Sequence, residues 1–235
     1  MKNLTTVATA GIAAVALSMG AVACGSSSHT TTTSSASSTT SKTTAATTTS
    51  AKATTAAPSA SGANYTIADY IKDNQIEEAA IHHGDAGAPT IDLPVPDGWS
   101  QVPESDAAPF GGIVYNQPTN PNDPPSIVAI VSKLSGNVDA AKILEYAPGE
   151  IKNLPGYEPL GNGGSTSTLS GFQAYQIGGN YVKDGTKRGI AQKTIVVPSQ
   201  DGLFVLQLNA DSPADQMDAL MAATNVIDDQ TTITP

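Results

Sequence analysis

The residues that could do chemistry in this 235-residue chain come as neighbours: the imidazoles His82-His83 and the acid pairs Glu77-Glu78 and Asp228-Asp229. Imidazole serves as a general base or a metal ligand. Adjacent side chains point in different directions, however, and no third ligand follows nearby, so the two histidines read as solvated residues at a helix end. A glycosidase needs two carboxyls facing each other across a cleft. A spacing of one residue does not provide that, and the acid pairs read as solvated faces. Gly163-Gly164-Ser165 lacks the glycine spacing of a hydrolase nucleophile elbow. Gly161-Asn162-Gly163-Gly164 lacks the Lys-Ser/Thr of a phosphate loop and opens no helix, so it reads as a turn between strands. Gly178-Gly179 sits inside a strand pattern and reads as a bulge or a close backbone approach. No catalytic residue, metal site or cofactor is expected.

Cys24 is the single cysteine. One thiol excludes an internal disulfide framework and argues against a thiolate zinc site. It follows Lys2, an apolar stretch at residues 7–17 and the small residues Ala21-Val22-Ala23. The apolar stretch is too short for a spanning helix of ~20 residues. The arrangement resembles the lipobox of bacterial lipoproteins, with Ala21 where that pattern usually has Leu. Residues 1–23 are therefore expected to be a signal peptide and Cys24 to carry acyl chains that hold the protein to the membrane. Residues 24–63 read as a tether. The 39 positions after Cys24 hold 13 Thr and 11 Ser with no aromatic or large aliphatic side chain, too little apolar surface to offset the entropy of ordering.

All 21 acidic residues lie from Asp69 onward, with 8 basic ones, a formal charge of −13. A domain this acidic repels phosphate backbones and anionic headgroups, which excludes nucleic-acid binding and membrane contact through a basic face. Trp99, the only tryptophan, follows a Pro-Asp-Gly turn. It is either a core plug or, with Phe110 and Tyr115, part of a groove for a ligand or partner.

The elements that must position these residues fill residues 64–235, one domain's length. Thr66 caps an amphipathic helix that the spacing carries to Gly84. Ile91, Leu93 and Val95 alternate as a short strand, and strands follow at 112–116 and 126–134. The continuous apolar run at 127–131 suits a strand covered on both faces. Asn137 is expected to cap a helix that Pro148 kinks or divides. Asp184-Gly185 and Gln200-Asp201-Gly202 then turn two hairpins. Ser212 and Pro213 are expected to open the last helix, with Leu220, Met221, Thr224 and Ile227 on one face. The order predicts an α+β fold, a largely antiparallel sheet of about 6–7 strands sandwiched by helices.

The lipobox, the Ser/Thr tether, the Leu-Pro-Val-Pro-Asp-Gly-Trp segment at 93–99, residues 127–132 and the helix after Pro213 together resemble the LpqN/LpqT-type lipoproteins of mycobacteria. That resemblance implies a Mog1/PsbP-like fold and an envelope role without known catalysis. The expected function is a non-catalytic binding module on the outer face of the cell membrane. Its partners would be an envelope lipid or glycolipid, or the lipid exporter. The alternatives are a protein–protein adaptor without a cavity and an envelope ester hydrolase. A carrier must open an apolar cavity of several hundred Å³ between helices and sheet; an adaptor need not.

Overall fold

A computed structural model describes residues 63–235. The signal segment, Cys24 and the tether up to residue 62 lie outside the described residues. Thr66 opens helix α1 (Ile67–Asp73) with a reciprocal cap: its hydroxyl accepts the Asp69 N–H at 3.1 Å and the Asp69 carboxylate accepts the Thr66 N–H at 3.0 Å. The helix stops ten residues short of Gly84. Gln75 takes a φ of 54°, Ile76 bonds back to the Ile71 carbonyl, and the chain reverses into strand β1 (Glu77–Ala80). Pairing with the long central strand outweighs helical spacing there. His82 and His83 consequently sit in the loop after a strand, not at a helix end.

Strands β2 (Thr90–Asp92), β3 (Trp99–Val102), β4 (Gly112–Tyr115) and β5 (Ser126–Ser135) follow. Asp139, rather than Asn137, caps α2 (Ala140–Tyr146) through the Ala141 N–H at 2.8 Å. Pro148 divides this region as expected, taking the first position of α3 (Pro148–Lys152). After β6 (Glu158–Pro159) and β7 (Ser165–Leu169) come three long strands, β8 (Phe172–Lys183), β9 (Thr186–Ser199) and β10 (Gly202–Pro213). Asp184 and Gly185 both have positive φ, 50° and 76°, as a two-residue hairpin turn requires. The last helix starts later than the Ser212-Pro213 pair suggests. β10 runs through Pro213, a 3-10 turn spans Ala214–Gln216, and α4 occupies Met217–Gln230 before β11 (Thr232–Thr234). Ser212 pairs with Gly189 of β9 instead of capping a helix.

The described residues form a nine-stranded antiparallel sheet with the path β3-β4-β5-β10-β9-β8-β6, to which β1 adds on β5 and β7 on β8. A separate ribbon joins β11 to β2. Helices α1 and α2 cover one face, where Ile67, Ile71 and Ile143 meet Leu134, Val196 and Val205. Helix α4 and the ribbon cover the other, where Leu220, Ile227 and Ile233 meet Ile195, Leu206 and Leu208. β5 is buried along nearly its whole length, as its continuous apolar run requires. The fold is thus the α+β sandwich expected, with more strands: β3, β6, β7 and β11 are short or polar and carry little periodicity.

Candidate functional site

Strand register decides where the interior is hollow. On the face beneath α4, one row across the sheet reads Ala174, Ile195, Leu206, Val131, and the next reads Gln176, Lys193, Leu208, Ala129. The third row reads Gly178, Ala191, Ala210, Ile127. Three successive small residues there leave the sheet bare. Gly178 and Ala191 remain only half-buried although they lie on long interior strands. The result is a hollow of about 430 Å³ between sheet and α4. Its depth is apolar, with Leu208, Ala210, Ile127 and Ile227. Its rim is polar, with Asn162, Gln176, Asn225 and Asp228, plus Leu160 at 46 % exposure. An apolar chamber with a few polar groups at its mouth is the usual form of a small-molecule site.

One ion pair spans sheet and helix at this mouth. The Lys193 ammonium lies 2.6 Å from the Asp228 carboxylate, the lysine side chain 10 % exposed and the aspartate 38 %. The ammonium has three donors, and Asp228 takes one. The paired charges nearly cancel, so the mouth offers donors and acceptors without a strong net field. The β6–β7 loop forms the opposite rim. Gly164 has a φ of 113°, and a Cβ there would press on the Tyr175 hydroxyl and the Gln176 carbonyl. Only glycine lets the loop lie so close to β8.

A second hollow of about 240 Å³ continues along the same face beneath residues 91–95. It shares Ile127, Leu208 and Ile227 with the first. Phe110 and His83 line it, their rings stacked at 3.7 Å. Glu104 gathers both histidines. Its Oε2 lies 2.9 Å from His82 Nδ1, while its Oε1 accepts the His83 N–H at 2.9 Å and contacts His83 Nδ1. These donors, the His83 backbone N–H foremost, push the Glu104 carboxyl down to about 2. The cluster is a surface latch joining two loops. Among the described residues no group of three or more His, Cys, Asp or Glu could hold a metal ion.

The aromatic trio is placed as follows. Trp99 is buried and faces its cross-strand partner Tyr115, ring centroids 5.5 Å apart. Neither lines the two hollows described above, whereas Phe110 lines the smaller one. Gly179 shows the close approach expected of the glycine pair, since a Cβ there would collide with the Tyr157 ring and the Glu158 carbonyl. Gly178 beside it has the other role, as floor of the larger hollow. Lys193, Ala191, Ala210 and Ile227 carry no motif; strand pairing brings the first three together, and the packing of α4 adds Ile227. On the opposite face, Arg188 donates Nε–H to Asp211 at 2.8 Å and Nη1–H to Asp123 at 2.5 Å, and the Tyr181 hydroxyl donates to Asp211 at 2.5 Å. This network, mostly buried, ties the loop before β5 to the ends of β8–β10.

Residues 63–234 match the family described as probable lipoprotein LpqN. Lipoprotein LpqN of Mycobacterium tuberculosis is 64 % identical over 176 residues, which cover 75 % of this chain and 77 % of that protein. A proline-rich 28 kDa antigen homolog of Mycobacterium leprae is 23 % identical over 168 residues, covering 72 % of this chain and 60 % of the relative. The crystal structure of the M. tuberculosis LpqN, described as involved in cell envelope biogenesis, superposes with a TM-score of 0.73 at 64 % identity. It is matched over 100 % of its length by 74 % of this chain. A solution structure of PsbP from Synechocystis aligns at 12 % identity with a TM-score of 0.41, over 66 % of this chain and 92 % of that one. From the matched residues and the shared fold, the chain belongs to the LpqN lipoprotein family.

Proposed function

We propose that this domain is a non-catalytic accessory module of cell-envelope biogenesis that holds the alkyl chain of an envelope lipid or glycolipid beneath α4. The observation that carries this is the hollow of about 430 Å³ floored by Gly178, Ala191 and Ala210. A domain whose only task is to dock another protein gains nothing from leaving the middle of its sheet bare, because unfilled apolar space is destabilising. The polar rim suits an uncharged, hydroxyl-bearing headgroup: Asn162 and Asn225 present free amides, and Lys193 with Asp228 offers a donor beside an acceptor. Burial of a chain provides the affinity, about 0.8 kcal/mol per methylene. The relative's part in envelope biogenesis supports the same setting.

Acylation of Cys24 would keep the module on the outer face of the cell membrane, within reach of an exporter that supplies or receives the lipid. Native mass spectrometry of the domain, purified without detergent from a mycobacterial host, tests the proposal. A reproducible adduct with the mass of an envelope lipid is expected. A bare mass, under conditions that retain lipid on a known carrier, would sink it and leave the adaptor role.

A further inference from the structure

Resting on that ligand assignment, we propose that Ile227 is the stop that sets how long an alkyl chain this protein accepts. The two hollows lie on one face of the sheet and share three lining residues, Ile127 and Leu208 from the sheet and Ile227 from α4. The two hollows adjoin at these shared side chains. Ile227 is 4 % exposed and hangs from the helix as the upper half of the partition; Ile127 and Leu208 form the lower half.

A chain entering past Asn225 and Leu160 runs over the small-residue floor toward this partition. The first chamber is the larger, about 430 Å³ against about 240 Å³ for the second. A chain that fills the first chamber therefore ends against Ile227. The second chamber is apolar along its depth, with Phe110, Ile113 and Ala129, and Leu93 and Pro94 cover it. It is suited to receive a longer chain, yet only if the partition yields. Removing the Ile227 side chain beyond Cβ joins the chambers while leaving the rim, and so headgroup recognition, unchanged.

The test uses alkyl maltosides of about eight to eighteen carbons as uncharged probes, each below its micellar concentration, with the domain from residue 63 onward. The solved relative shows that this portion stands alone, since it is matched over 100 % of its length. Affinity in the unaltered protein should rise about fourfold per methylene and then level off near the capacity of the first chamber. Ile227→Ala should move that break several carbons longer. Adding Leu93→Phe, which narrows the second chamber, should move it back.

If Ile227→Ala proves too unstable, Ile227→Val must lengthen the break by one or two carbons. A folded variant whose break stays where it was overturns the stop and leaves the carrier proposal standing. Absence of binding at every length in the unaltered protein overturns both.

Discussion

Gly178→Val would put two methyl groups where the sheet is bare. A Cβ there meets the Ile190 carbonyl at 3.4 Å and the Ala191 Cβ at 3.8 Å, ordinary contacts without positive φ. Valine also suits a strand better than glycine. The variant should keep its melting temperature within a few degrees and lose alkyl maltoside binding by at least about tenfold; calorimetry reads both. Unchanged binding would place the chain elsewhere. Glu104 allows a second prediction for a single residue. Its carboxyl is held at about 2, below the ordinary 4.5. A depressed carboxyl contributes stability that is fully present above about 4.5 and is lost as pH falls through about 2. Carboxylate NMR should place its midpoint near 2, and His83→Ala should recover only part of the shift because the backbone donor remains. A midpoint near 4.5 would mean that the latch does not form in solution.

Among the elements, α4 is held over the hollow by apolar contacts behind it and by Lys193–Asp228 at the mouth. Asp228→Asn leaves a largely buried ammonium without its counter-charge. Because Asp228 is more than a third exposed, solvent screens the pair, and the loss should be about 1–2 kcal/mol. The urea midpoint should fall, and amide exchange should speed up in α4 while β9 and β10 stay protected. Uniform loosening would argue that the pair does not act on the helix in particular.

The same elements explain what the sequence could tell. The Asp184-Gly185 turn sets Lys183 opposite Thr186, and counting back places Gly178 opposite Ala191. The turn at Gln200-Asp201 likewise sets Ala191 opposite Ala210. The bare row was therefore legible to anyone who followed both registers, although no motif marks it. The end of α1 was not legible. Glu78 and Ile81 continue the 3- and 4-residue spacing of Ile67, Tyr70, Ile71 and Asn74, and only pairing of β1 with β5 decides against the helix. The late start of α4 has a similar cause, since β10 gains pairing with β9 through Pro213 before the helix can begin. Trp99 kept two readings because burial depends on strands still unpaired in the sequence.

For the whole molecule, charge and attachment act together. With a formal charge of −13 from Asp69 onward, the domain has no electrostatic reason to lie on an anionic bilayer, so the proposal that Cys24 is acylated makes a clear prediction. Cys24→Ser should move the protein from the membrane fraction to the soluble fraction, and the domain alone should not sediment with anionic vesicles at low salt. Retention of the Cys24→Ser protein on membranes would point to a second point of attachment.

Where the chain joins the domain has a mechanical consequence. Asn64 is clasped to Asn153 at the end of α3 by three hydrogen bonds of 2.8–3.0 Å, on the sheet face opposite α4. Tension arriving along the N-terminus is thus borne by that amide clasp and then by α1, which would peel first. The chamber beneath α4 lies on the far side of the sheet, shielded from the pull. On the proposed anchoring and ligand, such a protein could be tugged by its mooring and still keep its grip on what it carries.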